Sequence, residues 1–230
     1  KKRLLMARRK KASDQNQRPQ RRKSLKAKTD NQQFYIDEME DSDVTFCSGP
    51  AGSGKTSVAV GLACEYLMSE KVKKIIITRP VVESGRGLGH LPGTLIEKIN
   101  PYLVPIIEEM NMYLTATRVE TLRENGTIEL CPLEYMRGRN IHNCFMILDE
   151  AQNATFEQIK MFVTRIGRSS KAIINGDLKQ SDLGDASGGL ERCMDSLELV
   201  EGVGICELDY SDIIRSGIGA RILRKLHEFE

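Results

Sequence analysis

Residues 49–56 read Gly-Pro-Ala-Gly-Ser-Gly-Lys-Thr, a complete GxxxxGK[ST] phosphate-binding loop, which requires a strand before it and a helix after it. The apolar run 44–48 supplies the strand. Residues 56–69 supply the helix, with Val58, Leu62 and Tyr66 among its apolar positions. Gly49, Gly52 and Gly54 let the backbone curl so that successive N–H groups point at phosphate oxygens, and the helix N-terminus adds partial positive charge there. The nucleotide-contacting set is therefore Gly49, Pro50, Ala51, Gly52, Ser53, Gly54, Lys55, Thr56 and Ser57. Lys55 is expected to reach the terminal phosphates and the Thr56 hydroxyl to hold Mg²⁺. ATP and Mg²⁺ are the cofactors this motif implies.

Beyond the loop, apolar runs at 74–78, 144–148, 171–175 and 203–208, with a shorter one at 127–130, alternate with helical patterns. The helical patterns cover 94–111, 116–125, 155–167, 187–199 and about 212–229. Continuous apolar strands between helices imply an α/β fold with a parallel sheet covered on both faces. Pro101 and Pro105 are expected to kink or break the helix around them. The Gly-rich stretch 85–89 lacks GxGxxG spacing and reads as a flexible loop.

Charge is unevenly spread. Residues 1–28 hold 13 Lys and Arg against a single acid, Asp14, so the remainder carries a net −10 beneath an overall +2. The segment has little to bury and reads as a basic, disordered tail, leaving 29–230 as one ATPase domain. Two readings of the tail compete: a sequence-independent nucleic-acid contact and a solubilising extension. Six scattered cysteines with no CxxC pair argue against a zinc site or a disulfide framework. No apolar run approaches bilayer length, and the basic opening is not followed by a long apolar region. The expectation is a cytoplasmic protein with no membrane partner.

After the apolar run 144–148 come Asp149 and Glu150. An acid at this strand end can hold the metal's water shell, and a second beside it can deprotonate the attacking water. DEAQ at 149–152 and GDLKQ at 176–180 resemble motifs of superfamily 1 helicases, whose cores are RecA-like. That resemblance implies a γ-phosphate contact for Gln180 and a supporting role for Gln152.

In order, the chain carries TDNQ (29–32), GPAGSGKT, IITRPVVESGRGLGHLPG (76–93), EKINPYLVP (97–105), LEYMRGRNIHNCFMILDEAQN (133–153), KMFVTRIG (160–167) and GDLKQSDL (176–183). Together these resemble the PhoH family. The resemblance implies a RecA-like P-loop NTPase that hydrolyses ATP and has an RNA-related role. It implies that Gln32 reads the adenine edge and that Arg79, at a strand end, contacts nucleic-acid backbone. Arg137 and Arg139 either meet phosphate or form structural ion pairs with the acidic core. Arg215, followed by Ser-Gly where the family has His-Pro, is either an arginine finger or a helix-surface ion pair, with Arg165 and Arg168 as weaker candidates for the finger. One RecA-like domain cannot close ATP between two, so either the site stays open and slow or a homo-oligomeric ring, by family analogy a hexamer, supplies Arg215 in trans. Two uses of the energy remain open: a motor on RNA or single-stranded DNA, or a nucleotide-switched oligomeric scaffold.

Overall fold

The computed structural model describes residues 23–80, 95–180 and 188–213, with backbone alone over 95–102. The tail through residue 22, the loop 85–89, most of the helix expected at 212–229 and Arg215 lie outside the described residues.

Chain order is α1 (Asp30–Asp41), β1 (Val44–Ser48), α2 (Lys55–Met68), β2 (Lys74–Arg79), α3 (Leu95–Tyr113), α4 (Ala116–Glu124), β3 (Ile128–Pro132), β4 (Cys144–Leu148), α5 (Phe156–Val163), β5 (Lys171–Gly176), α6 (Gly189–Leu197) and β6 (Val203–Glu207). The strands form one sheet in the order β3-β2-β4-β5-β1-β6, and every pairing in it is parallel. Both faces of the inner strands are buried, which is why they read as unbroken apolar runs. Along β4, Phe145 and Ile147 join the core beneath α1–α4, while Cys144, Met146 and Leu148 join the core beneath α5 and α6. Ile75 and Ile77 of β2 face the first layer and Ile76 the second.

Three expectations are corrected. The helix at 95–113 is continuous through Pro101 and Pro105, so neither proline breaks it. A mid-helix proline costs about 3 kcal/mol, and burial of Leu103, Ile106, Met110 and Tyr113 in the first core offsets it. Helix α1 has no counterpart among the expected elements, yet Thr29 caps it by accepting the Gln32 N–H, and Tyr35, Ile36 and Met39 bury its inner face. Finally, residues 23–28 are not a free tail: Leu25 and Ala27 pack against the first core.

All six cysteines are buried thiols. Burial pushes Cys64, Cys131, Cys144 and Cys206 up to about 12, so they stay protonated and inert. Among the described residues no helix is long and apolar enough to cross a membrane.

Candidate active site

The carboxyl ends of parallel strands converge on one crevice, the usual ligand position of such sheets. Here β1 feeds the phosphate loop, β2 ends at Arg79, β4 delivers Asp149 and Glu150, and β5 leads into Asp177. A cavity of about 520 Å³ lies among them, within the range of small-molecule and cofactor sites. It is lined by Lys55, Thr56, Asp149, Glu150, Gln152 and Gln180, among others.

The loop is held in place by its neighbours. Gly49 has φ +156°, and a Cβ there would lie 2.6 Å from the Leu208 carbonyl oxygen, so only glycine fits beneath the segment after β6. At Gly54, with φ +98°, a Cβ would meet Gln32 Nε2 at 2.7 Å. The Lys55 ammonium folds back onto the loop, donating to the carbonyls of Gly49 (2.5 Å) and Pro50 (3.0 Å). Ser53 Oγ is buried with no partner among the described residues.

Thr56 Oγ1 donates to Asp149 Oδ1 at 2.7 Å, bringing together two groups 93 residues apart. Asp149 is 2% exposed, and its other oxygen, Oδ2, accepts from Arg79 Nε (2.9 Å) and Nη2 (2.5 Å). Arg79 thus reaches from the end of β2 into the site. Its strand ends beside β4, so its guanidinium meets the buried carboxylate. Glu150 takes a left-handed conformation, φ 58° and ψ 40°, that turns the chain sharply after β4. Its Oε2 accepts from Gln152 Nε2 (2.7 Å), and Gln152 Oε1 accepts the Asp177 N–H (3.1 Å). Gln152 thus ties the acidic pair to the loop that carries Gln180. Gln180 itself is exposed at the cavity wall, its N–H closing a turn on the Asp177 carbonyl.

Gln32 is 4% exposed. Its Nε2 donates to the Ser53 carbonyl (2.8 Å) and its Oε1 accepts the Lys28 N–H (3.0 Å). Arg139 forks onto Glu129 of β3 at 2.7 and 2.9 Å, and Lys74 adds a contact at 2.6 Å. The Arg139 hydrogen bonds, with Lys74 in support, hold the Glu129 carboxyl down at about 2. Arg137 is exposed. Arg165 donates to the carbonyls of Met161 and Arg139, and the carbonyls of Arg165 and Arg168 bond residues just before β4. Both arginines therefore sit toward the amino ends of the strands, away from their own chain's crevice.

Several cavity residues carried no recognised sequence signal. Asp212 is 1% exposed and accepts from Thr29 Oγ1, from Asn31 Nδ2 (3.1 Å) and from the Asp209 N–H (2.8 Å), clamping the start of α1 to the segment after β6. Glu109 of α3 accepts from Ser57 Oγ at 2.6 Å. Asn175 accepts from Tyr35 Oη at 2.6 Å, while its Nδ2 is buried without a partner among the described residues. Asp177 lies inside the quoted 176–180 motif, whereas Asp212, Glu109 and Asn175 lie in none.

The donor set fits a nucleotide with Mg²⁺. Among the described residues no cluster of three or more His, Cys, Asp or Glu exists. Mg²⁺ is typically bound by one or two carboxylates together with substrate phosphates. One hydroxyl, one carboxylate and an ammonium resting on neutral carbonyls suit that arrangement.

A family model described as PhoH-like protein matches residues 24–227. A PhoH-like protein of Bacillus subtilis (strain 168) is 46% identical over 202 residues, covering 87% of this chain and 63% of that protein's length. The chain thus spans less than two thirds of that relative. The large terminase of a thermophilic bacteriophage superposes with a TM-score of 0.55 at 10% identity, over 86% of this chain and 49% of the other. The same terminase in complex with ADP gives 0.50 at 12% identity, over the same shares. Those likenesses show a shared fold, a parallel sheet flanked by helices.

Proposed function

The chain belongs to the PhoH-like protein family, and from that premise we propose that it is a Mg²⁺-dependent ATPase whose turnover is coupled to RNA or single-stranded DNA. The observation that carries the ATPase reading is the Thr56–Asp149 hydrogen bond at 2.7 Å with Glu150 immediately beside it. A hydroxyl and a carboxylate in contact across the loop would hold Mg²⁺, Thr56 as a direct ligand and Asp149 through the ion's water shell.

In this reading Lys55 leaves the Gly49 and Pro50 carbonyls to meet the β- and γ-phosphates, exchanging two neutral acceptors for charged ones. The loop N–H groups and the α2 N-terminus hold the same oxygens. Bound Mg²⁺ supplies neutralisation of charge on the phosphate oxygens. Glu150 accepts a proton from the attacking water, and Gln152 fixes its carboxylate through the 2.7 Å bond. Because Gln152 also holds the Asp177 N–H, a change at Glu150 is transmitted to the loop bearing Gln180, which senses the γ-phosphate. That a terminase of the same fold is found in complex with ADP supports a nucleotide as the ligand.

The basic character of residues 1–28 and the helicase-like motifs support a nucleic-acid track, with Arg79, Arg137 and Arg139 as its candidate contacts from the sequence. Assembly into a homo-oligomeric ring would let Arg215 of one copy reach the nucleotide of the next. Steady-state ATP hydrolysis with and without single-stranded RNA and DNA tests the coupling. A several-fold rise with one polymer supports it and identifies the track. A flat rate at low and moderate salt overturns coupling and leaves a nucleotide-switched scaffold, whose signature is oligomer size that changes with ATP.

A further inference from the structure

Residues 23–28 form a strap along one side of the cavity, a role their basic composition does not announce. Leu25 donates its N–H to Glu65 of α2 at 2.8 Å. Its side chain rests where Gly61 leaves room: a Cβ at Gly61 would lie 2.8 Å from Leu25 Cδ1 and 2.7 Å from the Tyr113 ring. Three residues later Lys28 donates its N–H to Gln32 Oε1 at 3.0 Å, while Gln32 Nε2 donates to the Ser53 carbonyl at 2.8 Å. Lys23, Leu25, Lys26 and Lys28 all line the cavity.

These two bonds fix which way the Gln32 amide points. Rotated by 180°, its oxygen would face the Ser53 carbonyl and its nitrogen the Lys28 N–H, two mismatches in a buried place. The amide keeps one Oε1 lone pair and one Nε2 hydrogen for a ligand. An acceptor and a donor side by side match the N6 donor and N7 acceptor of adenine, whereas guanine offers two acceptors, O6 and N7, along that edge. We infer that the 23–28 strap is a base-specificity element: the docked Leu25 and the Lys28 N–H lock the Gln32 amide in the orientation that selects adenine over guanine. The inference rests on Gln32 as the base-contacting residue of the proposed ATPase site.

The test is the ratio of kcat/KM for ATP to that for GTP, measured on the full chain and three variants. Lys28→Pro removes the backbone donor while leaving the Leu25 anchor, Leu25→Asp undocks the strap, and Gln32→Ala removes the amide. Thermal melts of each variant report whether the fold is intact. The strap account predicts that the ATP:GTP ratio falls roughly tenfold in all three. A fall in Gln32→Ala alone overturns the strap and keeps Gln32 as the base reader. An unchanged ratio in all three removes the base reading of Gln32 itself. Equal loss of ATP and GTP turnover in the strap variants, with the ratio intact, reduces the strap to a structural brace and overturns the inference.

Discussion

The Arg79–Asp149 pair makes a quantitative prediction. Arg79 is 15% exposed and Asp149 2% exposed, with both guanidinium contacts on one carboxylate oxygen. Unit charges about 4 Å apart attract by about 4 kcal/mol at an effective dielectric of 20. Desolvation of both groups offsets part of that, and breaking a buried ion pair by removing one partner costs about 3 kcal/mol. Arg79→Met keeps the aliphatic stem, and Asp149→Asn keeps the shape and an acceptor for Thr56. In nucleotide-free protein each single variant should lose about 3 kcal/mol, or roughly 6–12 °C in Tm for a domain of this size. The double variant strands neither charge, so it should lose about the same as one single variant, giving a coupling of about 3 kcal/mol. Urea denaturation of the four proteins reads this directly. If the two losses add within about 0.5 kcal/mol, the pair carries no mutual stabilisation and Arg79 is not held by Asp149.

Gly49→Ala should weaken ATP binding at least tenfold in a fluorescent-nucleotide titration, because its Cβ meets Leu208 backbone and side chain at 2.6 and 2.9 Å and the loop must retreat. Phe162→Ala empties a fully buried position of α5 in the second core and should cost about 3–5 kcal/mol in denaturant unfolding, with ATP affinity unchanged below the transition. Glu129→Gln tests the edge ion pairs. Glu129 titrates lower in the folded chain, at about 2 against an ordinary 4.5, so its contribution is present above about pH 4.5 and lost as pH falls toward 2. After discounting for solvent screening, the wild type should exceed the variant by about 1 kcal/mol at pH 7, and the gap should close toward pH 2 in chemical-denaturation curves.

The parts legible in the sequence are those fixed by short-range chemistry. Strand β4 is apolar at all five positions because both its faces are covered, so 144–148 can be read to the residue. The phosphate loop announces itself because close backbone approach admits few alternatives to glycine at 49, 52 and 54. Helix α1 is hidden because its first buried residue is Gln32 and its exposed face includes Phe34, which blurs the apolar periodicity. The tail boundary is obscured for a similar reason: only Leu25 and Ala27 among residues 23–28 are apolar, and their docking partners lie on α2 and α3. Only the strand-end position of Arg79 is local information, whereas its partner Asp149 lies 70 residues later. Asn175 and Glu109 acquire their place only when β5 and α3 fold over the loop.

The most direct test of the account is ATP hydrolysis by the wild type and Glu150→Gln, each with Mg²⁺ or with excess chelator, alongside nucleotide binding. The account predicts Mg²⁺-dependent turnover in the wild type, and in the variant retained ATP binding with turnover reduced at least about 100-fold. Turnover that survives the Glu150 substitution undiminished, or that ignores Mg²⁺, would contradict it.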